Sequence, residues 1–262
     1  MVHQRDADSG VFSEIDARLE EWMPPEAPPP ALDRYDGVMV FGGAMNVDQE
    51  ERLDWLRPEK ELLREVLERR LPVLGVCLGS QLLAEAAGAE PRRAREPEIG
   101  WHEVELTPEA AHDPLLGGLP GRLEGFSWHS YEAPLPPGAV PLARSPVCIQ
   151  AFRLDGRAAW GLQFHAEVTE QTVGDWLNDY RSDPDAVRVG IDPDALRAET
   201  RRRIGAWNET GRSIARRFLA AATDPVRVVN SAAQPERSHP GSLRPRSPRS
   251  RSRPSDGAPA KS

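Results

Sequence analysis

Cysteine is nearly absent from this sequence. Among 262 residues only Cys77 and Cys148 occur, too few and too widely spaced for a structural zinc site or a disulfide framework. The polar N-terminus MVHQRDADSG is no signal peptide, so the two thiols point to a reducing, cytoplasmic setting. Apolar runs long enough to cross a bilayer are missing too, which argues against a membrane protein. Net positive charge is also lacking. The chain carries a formal charge of −8, and residues 224–262 hold eight basic and three acidic side chains, which leaves −13 on the remainder. An acidic body argues against nucleic acid as a partner. No internal repeat occurs.

What is present reads as alternating strands and helices. DGVMVFGG at 36–43 is an apolar run ending in paired glycines, as expected of a buried parallel strand followed by an open turn. WLRPEKELLREVLERR at 55–70 places Leu62, Leu63, Val66 and Leu67 on one helical face. VLGVCLGSQLLAEAAG at 73–88 gives a strand, a glycine-flanked turn and a helix with Gly88 where a C-cap would fall. Strand, helix, strand, helix in that order implies an α/β fold, a mostly parallel central sheet covered on both faces. Residues 11–23 suggest a short helix with a strand at RLEEWM, and PPEAPPP at 24–30 a surface connection. AFRLDGRAAWGLQFH at 151–165 reads as a hairpin turning at Asp155–Gly156. A helix capped by Thr169 and one or two helices over 193–222 follow. From about residue 224, Ser, Pro and Arg dominate, and disorder is expected.

Cys77 is the first chemical candidate. A lone cysteine is more often a packed core residue. Here Gly75, Cys77 and Gly79 alternate, which uncovers the sulfur and lets a substrate approach the backbone. The turn lies at the carboxyl end of a strand, and the following helix N-terminus favours a thiolate. The N–H of Leu78 points into the same space and suits a developing oxyanion. A thiolate nucleophile also needs a base and an orienting carboxylate. QFHAEV at 163–168 offers His165 and Glu167, two apart at the end of a strand-like run and so on one face. Trp101, Trp128 and Trp160 read as core or pocket-wall aromatics, Cys148 as a small core residue, and His102 and His112 as surface residues. His129 is less easily set aside.

Taken together, FGGAMN at 41–46, GVCLGSQLLAEAAG at 75–88, EIGW at 98–101, WHSYE at 128–132 and GLQFHAEV at 161–168 resemble the class I, triad-type glutamine amidotransferases, in particular their stand-alone glutaminase members. The resemblance covers roughly residues 1–180. It implies a flavodoxin-like three-layer α/β/α fold, with Cys77 as nucleophile, His165 as general base and acid and Glu167 as its orienter. The oxyanion donors would be the backbone amides of Gly43 and Leu78. Gln81 and the Ser130–Tyr131 backbone would hold the amino-acid end of L-glutamine. No metal or organic cofactor is implied, and the released ammonia would pass to a synthetase on another chain.

The chain departs from the family pattern in three places. QFHAE stands where histidine–proline–glutamate is commoner, with the triad residues unchanged. The first strand looks truncated, and a start upstream of Met1 is expected. The segment of the second strand is short and proline-rich. Residues 181–223 would form a helical extension and 224–262 a basic tail. Rival functions stay open. One is a γ-glutamyl hydrolase or peptidase using the same triad. Another is a binding or regulatory subunit that is catalytically silent. A redox-sensing thiol protein comes last.

Overall fold

A computed structural model of the chain describes residues 1–4 and 9–224. The tail expected to be disordered falls, from residue 225 on, outside the described residues. Seven strands form one sheet: β1 (Val38–Val40), β2 (Val73–Val76), β3 (Arg92–Leu106), β4 (Arg122–Glu132), β5 (Ala139–Arg144), β6 (Ile149–Leu154) and β7 (Ala159–Leu162). Their order is β1-β2-β7-β6-β5-β3-β4. The α/β expectation is met, with β1, β2 and β7 parallel. Beyond β7 the pairings turn antiparallel.

The sheet separates two apolar layers, and alternation along the strands feeds both. Val73 and Ala159 point into one layer, with Leu63 and Val66 of α1 (Leu56–Glu68) and Leu82 of α2 (Leu78–Ala86). Their neighbours Leu74 and Trp160 point into the other, with Ile214 and Phe218 of α5 (Pro193–Thr223) and Val173 of α3 (Glu170–Asn178). A short helix α4 (Pro184–Val189) precedes α5.

The edge beyond β1 is thin, as the N-terminal sequence implies. The Met1 amino group donates to the Met39 carbonyl at 2.6 Å, and Phe41 N–H donates to the Met1 carbonyl at 3.1 Å. Val2 N–H reaches outward to the Trp22 carbonyl at 3.0 Å. The helix expected over 11–23 is reduced to a single 3₁₀ turn at Gly10–Glu14, and RLEEWM forms no strand. Two residues of partner backbone are too few to propagate a ladder, and prolines close the segment on its other side.

Residues 193–223 form one 31-residue helix. Asp192 caps it by accepting from the N–H groups of Asp194 and Ala195, with Pro193 in the first turn. Its buried residues Leu196, Ile204, Trp207, Ile214 and Phe218 belong to the same core as the sheet strands. Gly211 lets the helix touch the backbone after β7, because a Cβ there would collide with the Ala166 carbonyl oxygen.

Two glycines of α5 should therefore respond oppositely to alanine. At Gly205 a Cβ meets nothing within 4 Å, so Gly205→Ala should gain up to about 1 kcal/mol from helix propensity. At Gly211 the same gain is outweighed by overpacking, and Gly211→Ala should lose about 1–3 kcal/mol net. Urea midpoints of the two variants check both signs.

Candidate active site

Cys77 occupies the one-residue elbow between β2 and α2. Its backbone adopts φ 51° and ψ −109°, a strained combination for a residue with a Cβ. Glycines make the elbow fit. A Cβ at Gly75 would overlap the Gly79 carbonyl, and one at Gly79 would overlap Val40. Cys77 N–H donates to the Leu162 carbonyl at 2.8 Å, which ties the elbow to β7. Leu78 begins α2, so its N–H has no carbonyl four residues back within the helix. The helix runs to Ala86, and Gly88 closes it at φ 92°.

His165 and Glu167 lie beyond β7, which ends at Leu162. The strand pleat therefore does not put them on one face, contrary to the sequence argument. A loop does it instead. Glu167 Oε1 accepts from His165 Nδ1 at 2.6 Å, with both side chains buried. The loop backbone is pinned from three elements. His165 N–H donates to Phe126 of β4 at 2.8 Å, Trp207 of α5 donates through Nε1 to the His165 carbonyl at 2.7 Å, and Val11 N–H donates to the Glu167 carbonyl at 2.9 Å. Trp176 of α3 stands edge-on to the imidazole, ring centroids 5.0 Å apart.

The imidazole is also coupled electrostatically to Cys77. Burial, the largest single influence on His165, disfavours its charged form. The opposing charges of Glu167 and Cys77, with the hydrogen bond to Glu167, outweigh burial and raise its pKa from 6.5 to about 10. The Cys77 thiol has a second neighbour in the Trp128 carbonyl at 3.7 Å.

A cavity of about 720 Å³ opens here, and Gly43, Cys77, Leu78, Gln81, Ser130, Tyr131 and His165 all line it. Glu167 stands behind His165, outside the lining. Thus all eight site residues expected from sequence gather at one place. Gln81 acts on the wall: its Nε2 donates to the Tyr131 carbonyl at 3.0 Å and to Gln163 Oε1 at 3.3 Å. The Tyr131 hydroxyl donates to Asp48 at 2.9 Å.

Several residues at the site carried no sequence signal. Arg52, Arg93, Asp183 and Asp185 bring both charge signs to the cavity. Arg93 Nη2 donates to both oxygens of Asp185 at 2.6 Å. Burial disfavours the Asp185 carboxylate, but hydrogen bonds from Ser130, Arg188 and Arg93 outweigh it and hold its pKa at about 2. Only proximity in space gathers these residues.

Glu98, His129 and Cys148 form a buried cluster whose ligand-type atoms lie within 4.8 Å of one another. Two hydrogen bonds and one ion-pair contact already meet at the Glu98 carboxyl. Gln150 Nε2 donates to Glu98 Oε2 at 2.7 Å, the Cys148 thiol lies 3.6 Å from the same oxygen, and His129 Nε2 lies 3.2 Å from it. Burial and the Glu98 charge push the Cys148 thiol strongly up, so it stays protonated. Among the described residues no helix is long and apolar enough to cross a membrane.

Comparison with known proteins places the chain in a family. Residues 12–178 match the family model for glutamine amidotransferase class-I. The chain is 34% identical over 151 residues to the glutamine amidotransferase-like protein YfeJ of Salmonella typhimurium, covering 56% of this chain and 63% of that protein. It is 37% identical over 186 residues to the glutamine-hydrolyzing GMP synthase of Aeropyrum pernix, covering 68% of this chain and 33% of that one. The chain thus spans less than two thirds of the length of either relative. A glutamine-hydrolyzing GMP synthase subunit from Saccharolobus solfataricus is 31% identical over 156 residues, covering 59% of this chain and 79% of that one. Among solved structures, a glutamine amidotransferase from Thermotoga maritima superposes with a TM-score of 0.74 at 31% identity, covering 83% of this chain and 95% of that one. With the family model matched over the elbow, the cavity wall and the His165 loop, the chain belongs to the class I glutamine amidotransferases.

Proposed function

We propose that this protein hydrolyses the side-chain amide of L-glutamine through a thioester on Cys77 and delivers the ammonia to a synthetase on another chain. The observation that carries this reading is the buried His165–Glu167 pair facing a strained, cavity-lining Cys77.

In the first step the proton rests on His165, and the Cys77 thiolate attacks the γ-carbon of glutamine. The oxyanion forms between the N–H groups of Leu78 and Gly43, where preorganised donors act most strongly. His165 then gives its proton to the departing amine, so the C–N bond breaks and ammonia leaves. In the second step His165 takes a proton from water, the hydroxide attacks the thioester carbon, and glutamate departs as Cys77 is restored. Glu167 holds Nδ1–H throughout and stabilises the imidazolium. Arg52, Arg93, Asp183 and Asp185 suit the charged amino and carboxyl groups at the far end of glutamine, alongside Gln81, Ser130 and Tyr131. Glutamine-hydrolyzing GMP synthases are among the relatives, and one of these is a single subunit of such a synthase, which supports ammonia transfer between chains.

A second reading is hydrolysis of γ-glutamyl amides or peptides by the same thioester. The cavity favours it, because about 720 Å³ lies within the range of roughly 300–1,000 Å³ that holds drug-sized ligands.

Purified protein should release glutamate and ammonia from glutamine, and Cys77→Ala should lose at least about 10⁴-fold in kcat. Release from γ-glutamyl peptides with none from glutamine would put the second reading first. Loss of neither activity in Cys77→Ala would end both.

His165 yields a separate expectation. A pKa raised from 6.5 to about 10 adds stability that is complete below 6.5 and is lost as pH rises through about 10. Glu167→Gln removes the first of the raising influences. Its His165 ring-proton resonance should titrate at lower pH than in wild type, and its urea midpoint should fall less between pH 6.5 and 10.

A further inference from the structure

His3 and Glu59 form a buried pair outside the cavity lining. Both side chains have zero exposure, and His3 Nε2 lies 2.8 Å from Glu59 Oε1. The other ring nitrogen, His3 Nδ1, lies 2.9 Å from the Gly42 carbonyl. A carbonyl only accepts, so Nδ1 carries a proton and donates. Nε2 faces the Glu59 carboxyl oxygen Oε1. The ring is fixed at both nitrogens.

That arrangement acts on the next residue. In a trans peptide the carbonyl of one residue and the N–H of the next point to opposite sides. Pulling the Gly42 carbonyl toward His3 turns the Gly43 N–H away from it. Gly43 lines the cavity, and a Cβ on it would lie 3.3 Å from a Leu78 methyl group. On its other face, Gly42 sits where a Cβ would lie 3.0 Å from the His165 ring and 3.6 Å from Cys77 Cβ. The following amide is already committed, since Ala44 N–H donates to Gln4 Oε1 at 2.8 Å. Gly43 N–H itself has no hydrogen bond among the described residues. A Gly-Gly peptide lacks the side chains that would otherwise restrict its plane, so an external hold is needed to keep one orientation.

We infer that His3, fixed by Glu59, is a positioning residue that orients the Gly42–Gly43 peptide so that Gly43 N–H meets the substrate oxyanion. This rests on the acyl-transfer reading above. His3 touches neither substrate nor Cys77, so it acts through the peptide alone.

The test compares His3→Ala, His3→Asn and the double variant His3→Met/Glu59→Leu. The double variant leaves no unpaired buried charge and serves if His3→Ala does not fold. The readouts are kcat and KM for glutamine, the rate of Cys77 alkylation by iodoacetamide, and the Gly42 carbonyl direction in a crystal structure of each variant. His3→Ala and the double variant should lose about 10²-fold in kcat, as expected for one oxyanion donor, with KM within about twofold. Alkylation needs no oxyanion donor and should stay at the wild-type rate. The Gly42–Gly43 peptide should turn. His3→Asn can donate from Nδ2 near the position of Nδ1, so it should keep the peptide direction and recover most of kcat. Unchanged kcat in the double variant, or equal losses of kcat and alkylation, would overturn the inference. So would an unturned peptide beside a reduced kcat. If wild-type protein turned over neither glutamine nor γ-glutamyl peptides, the acyl-transfer reading would fall, and the peptide direction in the variants would still decide whether His3 sets it.

Discussion

The structure turns on how closely three stretches of backbone approach at the β2–α2 elbow. Val40, Gly75 and Gly79 are packed so tightly that no Cβ fits on either glycine. With the strand and the helix held that close, the residue between them must change direction at once. Cys77 does so at φ 51°, a conformation that costs on the order of 1–3 kcal/mol for a residue with a side chain. The hydrogen bond to Leu162 and the packing of α2 against β1 and β2 oppose relaxation. Strain at the elbow is the consequence of bringing a side chain, a free helix N-terminus and the ends of β1 and β7 to one point.

The second half of the site has the opposite problem. His165 and Glu167 lie in a loop, and a loop does not hold a buried charged pair unaided. Ions without water are costly, by several kcal/mol each, unless their geometry is good and their remaining groups are bonded. The surrounding structure meets the geometric half of that requirement through the backbone, while Glu167 Oε2 stays buried with no hydrogen-bond partner among the described residues. β4, α5 and the Gly10–Glu14 turn each bond a different peptide group between residues 165 and 168, and Asn208 adds a bond to the Val168 carbonyl at 2.7 Å. This gives α5 a purpose that its sequence does not advertise. Its Arg- and Ala-rich face reads as an appended helix, but Trp207, Asn208 and Gly211 brace the loop that carries the imidazole.

What was legible from sequence was what local chemistry records. The apolar runs at 36–43 and 73–76, the glycine alternation around Cys77 and the Thr169 cap each depend on neighbours within a few residues, and each is in place. The His165–Glu167 pairing was anticipated for the wrong reason, since strand periodicity ends at Leu162 and tertiary contacts take over. The helix over 11–23 failed because its surroundings decide it: beyond the 3₁₀ turn, the chain follows the N-terminal residues and the prolines. Contacts bridging long separations left no trace. His3 meets Glu59 across 56 positions, and Glu98 meets Cys148 across 50. Cys148 reads as a core thiol and Glu98 as part of EIGW, but nothing in either segment says that the two meet, and neither His3 nor Glu59 stands out at all.

The two cysteines show why position in the fold, and not residue type, determines chemistry. Both are buried and neither is bonded to the other. Cys148 is buried, and the charge of the carboxylate it faces adds to the effect of burial, so its thiol keeps its proton. Cys77 faces an imidazole that is itself held charged by a carboxylate, at the start of a helix. The first environment disfavours negative sulfur, and the second sets a charged imidazole beside the sulfur. A redox-sensing thiol would need access and a low-pKa environment but no carboxylate behind a histidine. The placement of Glu167 behind His165 suits an imidazole that gains and gives up a proton, as the proposed acyl transfer requires.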